Sequence, residues 1–336
     1  ILFIALLQLP FVLHEYLFLV PKRMGMGGGI VPVDVVSGSF GGSLYGGGAN
    51  AVLAVFLVTV VACVAGVWKH QAMPGNRAAA LSILFLAPLL VNEVKVTALY
   101  LPLLFVVLFY RYIVERPVRF LAAGAATAAL LVVLMAALTL HHSNTKQVQS
   151  WSDLVSFVFE RQTANIYERG ANYNELTRWT TLTFWVGEHF PGNAAHIFIG
   201  HGPGASRVQA AGLDLADTLA EKRYGGMKIG TTAVSALLWD TGVIGLMSVL
   251  GMFFAAFRAA RKLSVYYQER DPFKSGIYDG LSAAIAVLTL SLAHKDFFAY
   301  HLPFQTIVIL MFSFLIIGQR QIETVHVPAR HSSLSV

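Results

Sequence analysis

Residues 50–68 read NAVLAVFLVTVVACVAGVW, a run that holds no charged side chain. A helix of roughly 20 apolar residues crosses the hydrocarbon core of a bilayer, and it satisfies its own backbone hydrogen bonds there. The whole chain is of this kind, because 56% of its residues are hydrophobic and only 12% are charged. Soluble domains carry about 25% charged residues. The sequence therefore predicts an all-helical integral membrane protein, a polytopic bundle of transmembrane helices.

Similar apolar runs lie on both sides of this one. We predict eight spans, at 1–20, 50–68, 79–92, 96–110, 119–140, 231–257, 277–293 and 302–318. The runs 79–92 and 96–110 are short for full crossings and also fit one broken helical hairpin. The chain opens inside an apolar run without an initiator Met, which predicts a piece of a longer protein with earlier spans.

The longest polar segment, residues 141–230, separates two groups of spans. Segments of this length without structure of their own are uncommon, so we predict a largely helical cap. A helix over 175–190 is expected on the membrane surface, with Trp179, Phe184 and Trp185 at the interface. The predicted division is 1–140 for membrane helices with a Gly-rich loop at 21–49, 141–230 for the cap, 231–318 for further membrane helices, and 319–336 for a tail.

Lysine and arginine in short loops indicate which side of a membrane protein faces the cytoplasm. With eight spans, the basic loops 69–78, 111–119 and 258–276 and the tail share one side, which we assign to the cytoplasm. The Gly-rich loop, the cap and the turn 294–301 then lie on the periplasmic side. The net charge of +6 follows largely from this asymmetry, so we expect no nucleic-acid partner.

Several charged residues on the periplasmic side are candidates for chemistry. Arg178, beside aromatic residues, suits bidentate contacts with a phosphate group, although an arginine that only reaches toward the interface gives the same pattern. Glu93 and Lys95 interrupt an apolar stretch, and they fit either a functional intramembrane pair or a hairpin tip in water. His294 and Lys295 border the last external turn and fit a polar cavity that faces the cap.

A glycine turn, Gly200-His201-Gly202-Pro203-Gly204, lies near the end of the cap. Glycine permits close approach of the backbone to a ligand, which makes His201 a candidate proton acceptor. His294 is another, although a neutral imidazole bonded to a helix carbonyl also fits that position. The sequence lacks HExxH and GxSxG motifs, a cysteine cluster, and a DxD motif in the cap. We therefore predict chemistry without a metal and without a cofactor.

The order of these motifs resembles that of one family of bacterial membrane proteins. An arginine, an apolar-aromatic helix and a glycine turn follow one another here as Arg178, Trp185 and 199–204, and the next span carries Leu238, Gly242 and Gly245. The segments 39–42, 93–95 and 101–102 add weaker matches, as Ser-Phe-Gly-Gly, Glu-Val-Lys and Leu-Pro. Together they resemble the O-antigen ligase and polysaccharide polymerase superfamily, over residues from 21 to about 250.

The resemblance implies a metal-independent glycosyltransferase of the bacterial inner membrane, multi-pass, with its active site facing the periplasm. The implied substrates are an undecaprenyl-diphosphate-linked glycan donor and a glycan acceptor, in contact with membrane lipid, and other polysaccharide export proteins are implied partners. Arg178 would bind the diphosphate, with Lys95 or Lys295 in support. A polymerase would transfer the growing chain to the hydroxyl of another lipid-linked repeat unit.

One departure from the family pattern bears on the reaction. Ligases of this superfamily carry a His-Asn pair eleven and ten residues before the first glycine of the last motif, where this chain has Thr231-Thr232 before Gly242. A threonine hydroxyl cannot replace imidazole as a base near neutral pH. Either the proton goes to His201, His294 or Glu93, or the acceptor hydroxyl needs little activation. The polymerase interpretation is favoured over a ligase acting on lipid A core or protein. A lipid-linked glycan transporter is the alternative of another class.

Overall fold

The computed structural model describes residues 2–26, 32–42, 44, 49–91, 96–118, 176–190, 192, 194–208 and 217–326. Across these residues the fold is helical and contains no strand. The helices are α1 (Leu2–His14), α2 (Val20–Met24), α3 (Ala49–Lys69), α4 (Gly75–Val91), α5 (Thr97–Glu115), α6 (Thr180–His189), α7 (Ala194–Ile199), α8 (Leu219–Tyr224), α9 (Ala233–Tyr267), α10 (Pro272–Ser291), α11 (Phe297–Tyr300) and α12 (Leu302–His326).

Four segments of the described residues are long and apolar enough to cross a membrane. They are Leu2–Met24, Ala49–Lys69, Ala233–Tyr267 and Leu302–Glu323. They coincide with four of the predicted spans, which indicates a membrane protein. The predicted spans 79–92, 96–110 and 277–293 correspond to α4, α5 and α10, which are not among those four segments. The span predicted at 119–140 lies outside the described residues, so the total of eight stays a prediction.

The chain forms two compact units, the first made of residues 1–108, 253–287 and 302–336. In this unit α3 and α10 pack backbone to backbone through small residues. A Cβ added to Gly276 would lie 2.5 Å from the Cα of Val67, and one added to Gly280 would lie 2.4 Å from the carbonyl oxygen of Ala62. Close helix packing through glycine is characteristic of membrane bundles, where van der Waals contact replaces the hydrophobic effect.

The close packing of α3 and α10 brings a group of charged side chains together. Asp279 is buried, and its carboxylate accepts hydrogen bonds from Lys69 and Arg261. His70 Nε2 lies 3.2 Å from the same carboxylate. A buried charge is tolerated only when it is paired, so this network fixes the helix ends that carry it.

Part of the Gly-rich loop 21–49 is hydrogen-bonded to the first span. A π-helical turn, Glu15–Leu19, follows α1, and the buried Glu15 carboxylate accepts the N–H groups of Ser37 at 2.8 Å and Gly38 at 2.6 Å. Earlier in α1, Oε1 of Gln8 accepts the N–H of Ser39 at 2.9 Å. The described part of this loop is therefore held in place by side chains of the helix beside it.

The second unit contains residues 109–252 and 288–301. Its core includes Leu176 and Trp185 from the α6 region, Ile229, and Trp239 of α9. Trp185 is only 5% exposed, so the prediction that it lies at the membrane interface is wrong; Phe184 is half-buried, and Trp179 is exposed. The predicted boundary at 140 lies outside the described residues, and the division of the chain into 1–140, 141–230, 231–318 and 319–336 stays a prediction.

Gly242 interrupts α9 within this unit. Its backbone has φ +66° and ψ −167°, a conformation that residues with a Cβ rarely adopt. The helix is therefore broken near its beginning, and the segment before the break packs in the core of the second unit through Trp239.

Candidate functional site

Arg178 lies in the turn that precedes α6, and paired threonines hold that turn. The N–H of Thr177 donates to Thr180 Oγ1 at 2.8 Å, and the N–H of Thr180 donates to Thr177 Oγ1 at 3.3 Å. This reciprocal arrangement satisfies N–H groups that have no partner inside the helix. The N-terminal end of a helix carries a partial positive charge. Arg178 therefore adds its full charge to a region that is already electropositive.

Two further segments pack against this turn. Thr231 Oγ1 lies 3.0 Å from the carbonyl oxygens of both Leu176 and Lys228. The N–H of Ala233, at the start of α9, donates to the carbonyl oxygen of Lys295 at 2.9 Å. The segments around 176–181, 228–233 and 292–296 are thus neighbours in the fold, although they are distant in sequence.

The pKa of His294 depends on the charges that these segments carry. Burial of its imidazole lowers its pKa to about 3, and the positive charges of Arg178 and Lys295 lower the pKa further in the same direction. The fold therefore places Arg178 and Lys295 near enough to His294 to act on its charge, and their role in binding stays a prediction. A pKa this low keeps His294 neutral at physiological pH and makes its ring a weak base.

Lys228 is a fourth member of the cluster that sequence reasoning missed. Its Nζ lies 3.9 Å from a carboxylate oxygen of Asp296, and its side chain is 33% exposed. Among the described residues, the cluster thus contains the cations Arg178, Lys228 and Lys295 and the carboxylate of Asp296. The only signal in the sequence is the position of Lys228 just before the Thr231-Thr232 pair.

The Thr231-Thr232 pair has a structural role. Thr232 is buried and caps α9, because its Oγ1 accepts the N–H of Ser235 at 3.1 Å while its own N–H donates to Ser235 Oγ at 3.0 Å. Thr231 uses its hydroxyl to join the Leu176 and Lys228 segments. Both hydroxyls are engaged in holding the cluster together.

His201 lies at the other end of α6. Its Nε2 is 3.0 Å from Nε2 of His189, the last residue of that helix. Eleven residues separate Arg178 from His189, and a rise of 1.5 Å per residue puts about 16 Å between their Cα atoms. The structure therefore does not bring His201 to the cationic cluster.

Hydrogen bonding assigns the protons of this histidine pair. His189 Nδ1 lies 2.8 Å from the carbonyl oxygen of Trp185 and donates to it, which leaves His189 Nε2 as an acceptor for the Nε2–H of His201. The lone pair of His201 is then on Nδ1. Burial and the nearby His196 and His189 lower the pKa of His201 to about 4, so the ring is neutral and a weak base.

The glycine turn is docked on α9. The N–H groups of His201 and Gly202 donate to the carbonyl oxygens of Trp239 at 2.8 Å and Asp240 at 3.0 Å. The N–H of Gly204 donates to the Asp240 carboxylate at 2.9 Å. A Cβ added to Gly200 would lie 2.5 Å from the carbonyl carbon of Asp240. These glycines thus allow the backbone of the turn to pack closely on α9. The Asp240 carboxylate takes the place that an external anion would occupy in such a turn.

The remaining predicted residues, Glu93 and Lys95, lie outside the described residues. Within the described part of the chain, no group of three or more His, Cys, Asp and Glu side chains could hold a metal ion. The comparison with protein-family models gives no match, and neither the curated proteins nor the solved structures give one. A proposal for the function of this protein therefore rests on the geometry of the site and on the sequence motifs.

Proposed function

We propose that the protein is a polysaccharide polymerase that uses glycans linked to undecaprenyl diphosphate. In the proposed reaction the hydroxyl oxygen of one lipid-linked repeat unit attacks the anomeric carbon of the donor glycan. The bond from that carbon to the diphosphate breaks, and the lipid diphosphate leaves with the bonding electron pair. The hydroxyl proton passes to a basic group of the site.

The observation that carries this proposal is the cationic cluster at the turn that precedes α6. Among the described residues this cluster contains Arg178, Lys228 and Lys295, with Asp296 beside Lys228, and the helix end adds partial positive charge. Charge-assisted contacts of this kind stabilise a departing diphosphate without a metal ion. Arg178 suits the bidentate contact, because its planar fork matches two phosphate oxygens.

His294 supports the same proposal as the proton acceptor nearest to these cations. Burial lowers the pKa of His294, and the charges of Arg178 and Lys295 lower it further. A bound diphosphate brings negative charge to the same place, which raises the pKa of the ring toward the range that a general base needs. His201 contacts His189, which lies about 16 Å from Arg178 by the helical rise, so neither Arg178 nor Lys295 is among the charges that act on it. We therefore propose His294 as the base, ahead of His201 and Glu93.

The proposal includes the topology drawn from the sequence. Eight spans would place segment 141–230 and the 294–301 turn in the periplasm of a bacterium, with the protein in the inner membrane. Arg178, Lys228 and His294 would then face the compartment in which lipid-linked repeat units are joined in this superfamily. Lys95 and Glu93 would lie on the same side.

The test is polymer formation by the purified protein in lipid vesicles. A synthetic lipid-linked repeat unit is the only substrate, and a ladder of products is expected on gel electrophoresis. Arg178→Ala should lower the rate at least about tenfold, since a hydrogen bond to a charged group contributes about 1.5–3 kcal/mol. Arg178→Lys should recover part of it. Arg223→Ala is the matched control, because Arg223 pairs with Glu188 on the surface.

Three results would count against the proposal. Unchanged polymerisation by a correctly inserted Arg178→Ala protein would remove the diphosphate role. A product of one fixed size on lipid A core, without a ladder, would favour the ligase alternative. Movement of the intact lipid-linked unit across the vesicle membrane, without bond formation, would favour a transporter.

A further inference from the structure

The most exposed large apolar side chains of α6 and α7 lie together on the outside of the second unit. Trp179, Val186 and Phe190 are spaced seven and four residues apart, which places them on one face of α6 and its ends. Phe198 and Ile199 close α7. All five side chains are between 50 and 63% exposed. We name this set the outer apolar surface.

The other face of α6 is packed inside the unit. Trp185 and His189 are buried, and their rings stack with centroids 4.7 Å apart. The helix therefore has two apolar faces, of which only one has a partner within the described residues. Large exposed apolar patches are uncommon on proteins surrounded by water and mark a contact with another apolar phase.

The outer apolar surface continues onto a membrane-spanning helix. A Cβ added to Gly242 of α9 would lie 2.4 Å from the carbonyl carbon of Phe198, so the end of α7 touches α9 at its break. One turn further along α9, Ile244 and Met247 are exposed by 55% and 59%. α9 is one of the helices long and apolar enough to cross a membrane, so these two residues extend the exposed apolar area along a candidate span. Phe198 and Ile199 lie next to them.

The residues at the edge of this surface suit the boundary between lipid and water. Trp179, at the start of α6, has the amphipathic indole ring that is enriched at membrane interfaces. Arg178 precedes it, and an arginine at this depth can reach lipid phosphate groups. Beyond the far end of α6, Phe190 continues the apolar face. The exposed apolar side chains thus extend along α6, with a ring that suits the interface at its start.

We propose that the outer apolar surface is immersed in the phospholipid bilayer, with α6 lying along the membrane and α7 beside the emerging span. This inference does not depend on the polymerase reaction. It places the cationic cluster at the depth of lipid head groups, where an amphiphile with an anionic head can reach Arg178 without leaving the membrane.

The test measures what surrounds single spin labels on the protein in phospholipid vesicles, in a Cys63→Ala background. Labels are placed at Val186→Cys and Phe198→Cys, and at Asp217→Cys as the water-facing control in the same unit. Oxygen, which concentrates in hydrocarbon, should collide with the first two labels more often than a water-soluble nickel chelate does. The label at position 217 should show the opposite order.

Two patterns would overturn the proposal. Nickel access at positions 186 and 198 equal to that at 217 would put the surface in water. Low collision rates with both reagents at 186 and 198 would show that protein covers it, either another segment of this chain or a partner.

A second measurement needs neither a cysteine substitution nor a spin label. Phospholipids brominated on their acyl chains quench tryptophans that touch the bilayer. Quenching of the wild-type protein should exceed that of Trp179→Phe, because Trp179 is in contact with lipid. Equal fractional quenching of the two proteins would overturn the proposal even if the labelled variants failed to fold.

Discussion

Tyr300 donates its hydroxyl proton to Asp240, with 2.9 Å between the two oxygen atoms. The same carboxylate accepts the backbone N–H groups of Gly204 and Ser206, and the hydroxyl of Ser206 lies 2.6 Å from that of Tyr300. Because a carboxylate only accepts, Ser206 donates to Tyr300 in turn. One buried side chain of α9 thereby ties together the glycine turn and α11, which follows the segment that carries His294.

Replacement of Asp240 by asparagine should destabilise this junction. An amide has one acceptor oxygen where the carboxylate has two, so at least one N–H or hydroxyl donor loses its partner. The free energy of unfolding should fall by about 1–3 kcal/mol, seen as a lower melting temperature in detergent. Asp217→Asn, at an exposed ion pair with Lys222, is the control and should melt like the wild type. Equal melting of the two variants would contradict the role of Asp240.

Two glycines of the turn separate the effect of backbone conformation from that of close packing. Gly200 and Gly202 both have positive φ, but a Cβ at 200 would meet Asp240 whereas one at 202 would meet nothing within 4 Å. Gly202→Ala should cost about 1–2 kcal/mol, from the left-handed conformation alone. Gly200→Ala should cost clearly more, since backbone atoms must move. Thermal unfolding checks the order, and an equal cost at both positions would refute the close docking on α9.

The packing of α3 on α10 gives a similar pair. Gly280→Ala would place a Cβ 2.4 Å from the carbonyl oxygen of Ala62, while a Cβ on the helical Gly251 would meet nothing within 4 Å. The first variant should lower the melting temperature by separating the two helices. Gly251→Ala should leave it unchanged or raise it, because alanine favours the helix by about 1 kcal/mol. A stable Gly280→Ala protein would mean that the helices are further apart than described.

Stability should depend on the protonation of His201. Its pKa is about 4 in the folded protein, below the ordinary value of 6.5, so between these values the unfolded chain binds more protons. The contribution to stability is therefore full above pH 6.5 and is lost as the pH falls toward 4. Between pH 6.5 and pH 4, the melting temperature of the His201→Gln variant should fall less than that of the wild type. His294 acts in the same direction in both proteins, so their difference isolates His201; identical pH profiles would contradict the lowered pKa.

The proposed sidedness can be tested with single cysteines in the Cys63→Ala background. A cysteine at Asp217, which is exposed in the second unit, should react with a membrane-impermeant maleimide in intact spheroplasts. A cysteine at Gln268, exposed near the end of α9, should react only after the membrane is opened. The expectation follows from the distribution of Lys and Arg among the loops. The reverse labelling pattern would invert the topology.

The sequence predicts the parts of this fold that depend on local composition. Spans such as 50–68 follow from a run of apolar residues of the right length, and the glycines at 200 and 242 stand out because few other residues tolerate their conformations. Runs such as 79–92, which are apolar but short, remain ambiguous, because length and composition alone do not decide whether such a helix crosses the membrane.

The sequence does not reveal which residues become neighbours. Trp185 is of a residue type that is common at membrane interfaces, yet it is buried. Its position in the core around Trp239 determines which face of α6 packs inward. Asp240 and Lys228 carry no local pattern that marks them, since each acquires its role from a segment tens of residues away. His201 and Arg178 are both polar residues near one aromatic helix, and only the helical rise shows that they lie at opposite ends of it.

The break in α9 at Gly242 changes the hydrogen-bond partners of two carbonyl oxygens. In a continuous helix the oxygens of Trp239 and Asp240 would accept the N–H groups four residues ahead, at Val243 and Ile244. Here they accept the N–H groups of His201 and Gly202. A straightened α9 would turn both oxygens back along its own axis. The docked turn and an uninterrupted helix would thus use the same two acceptors.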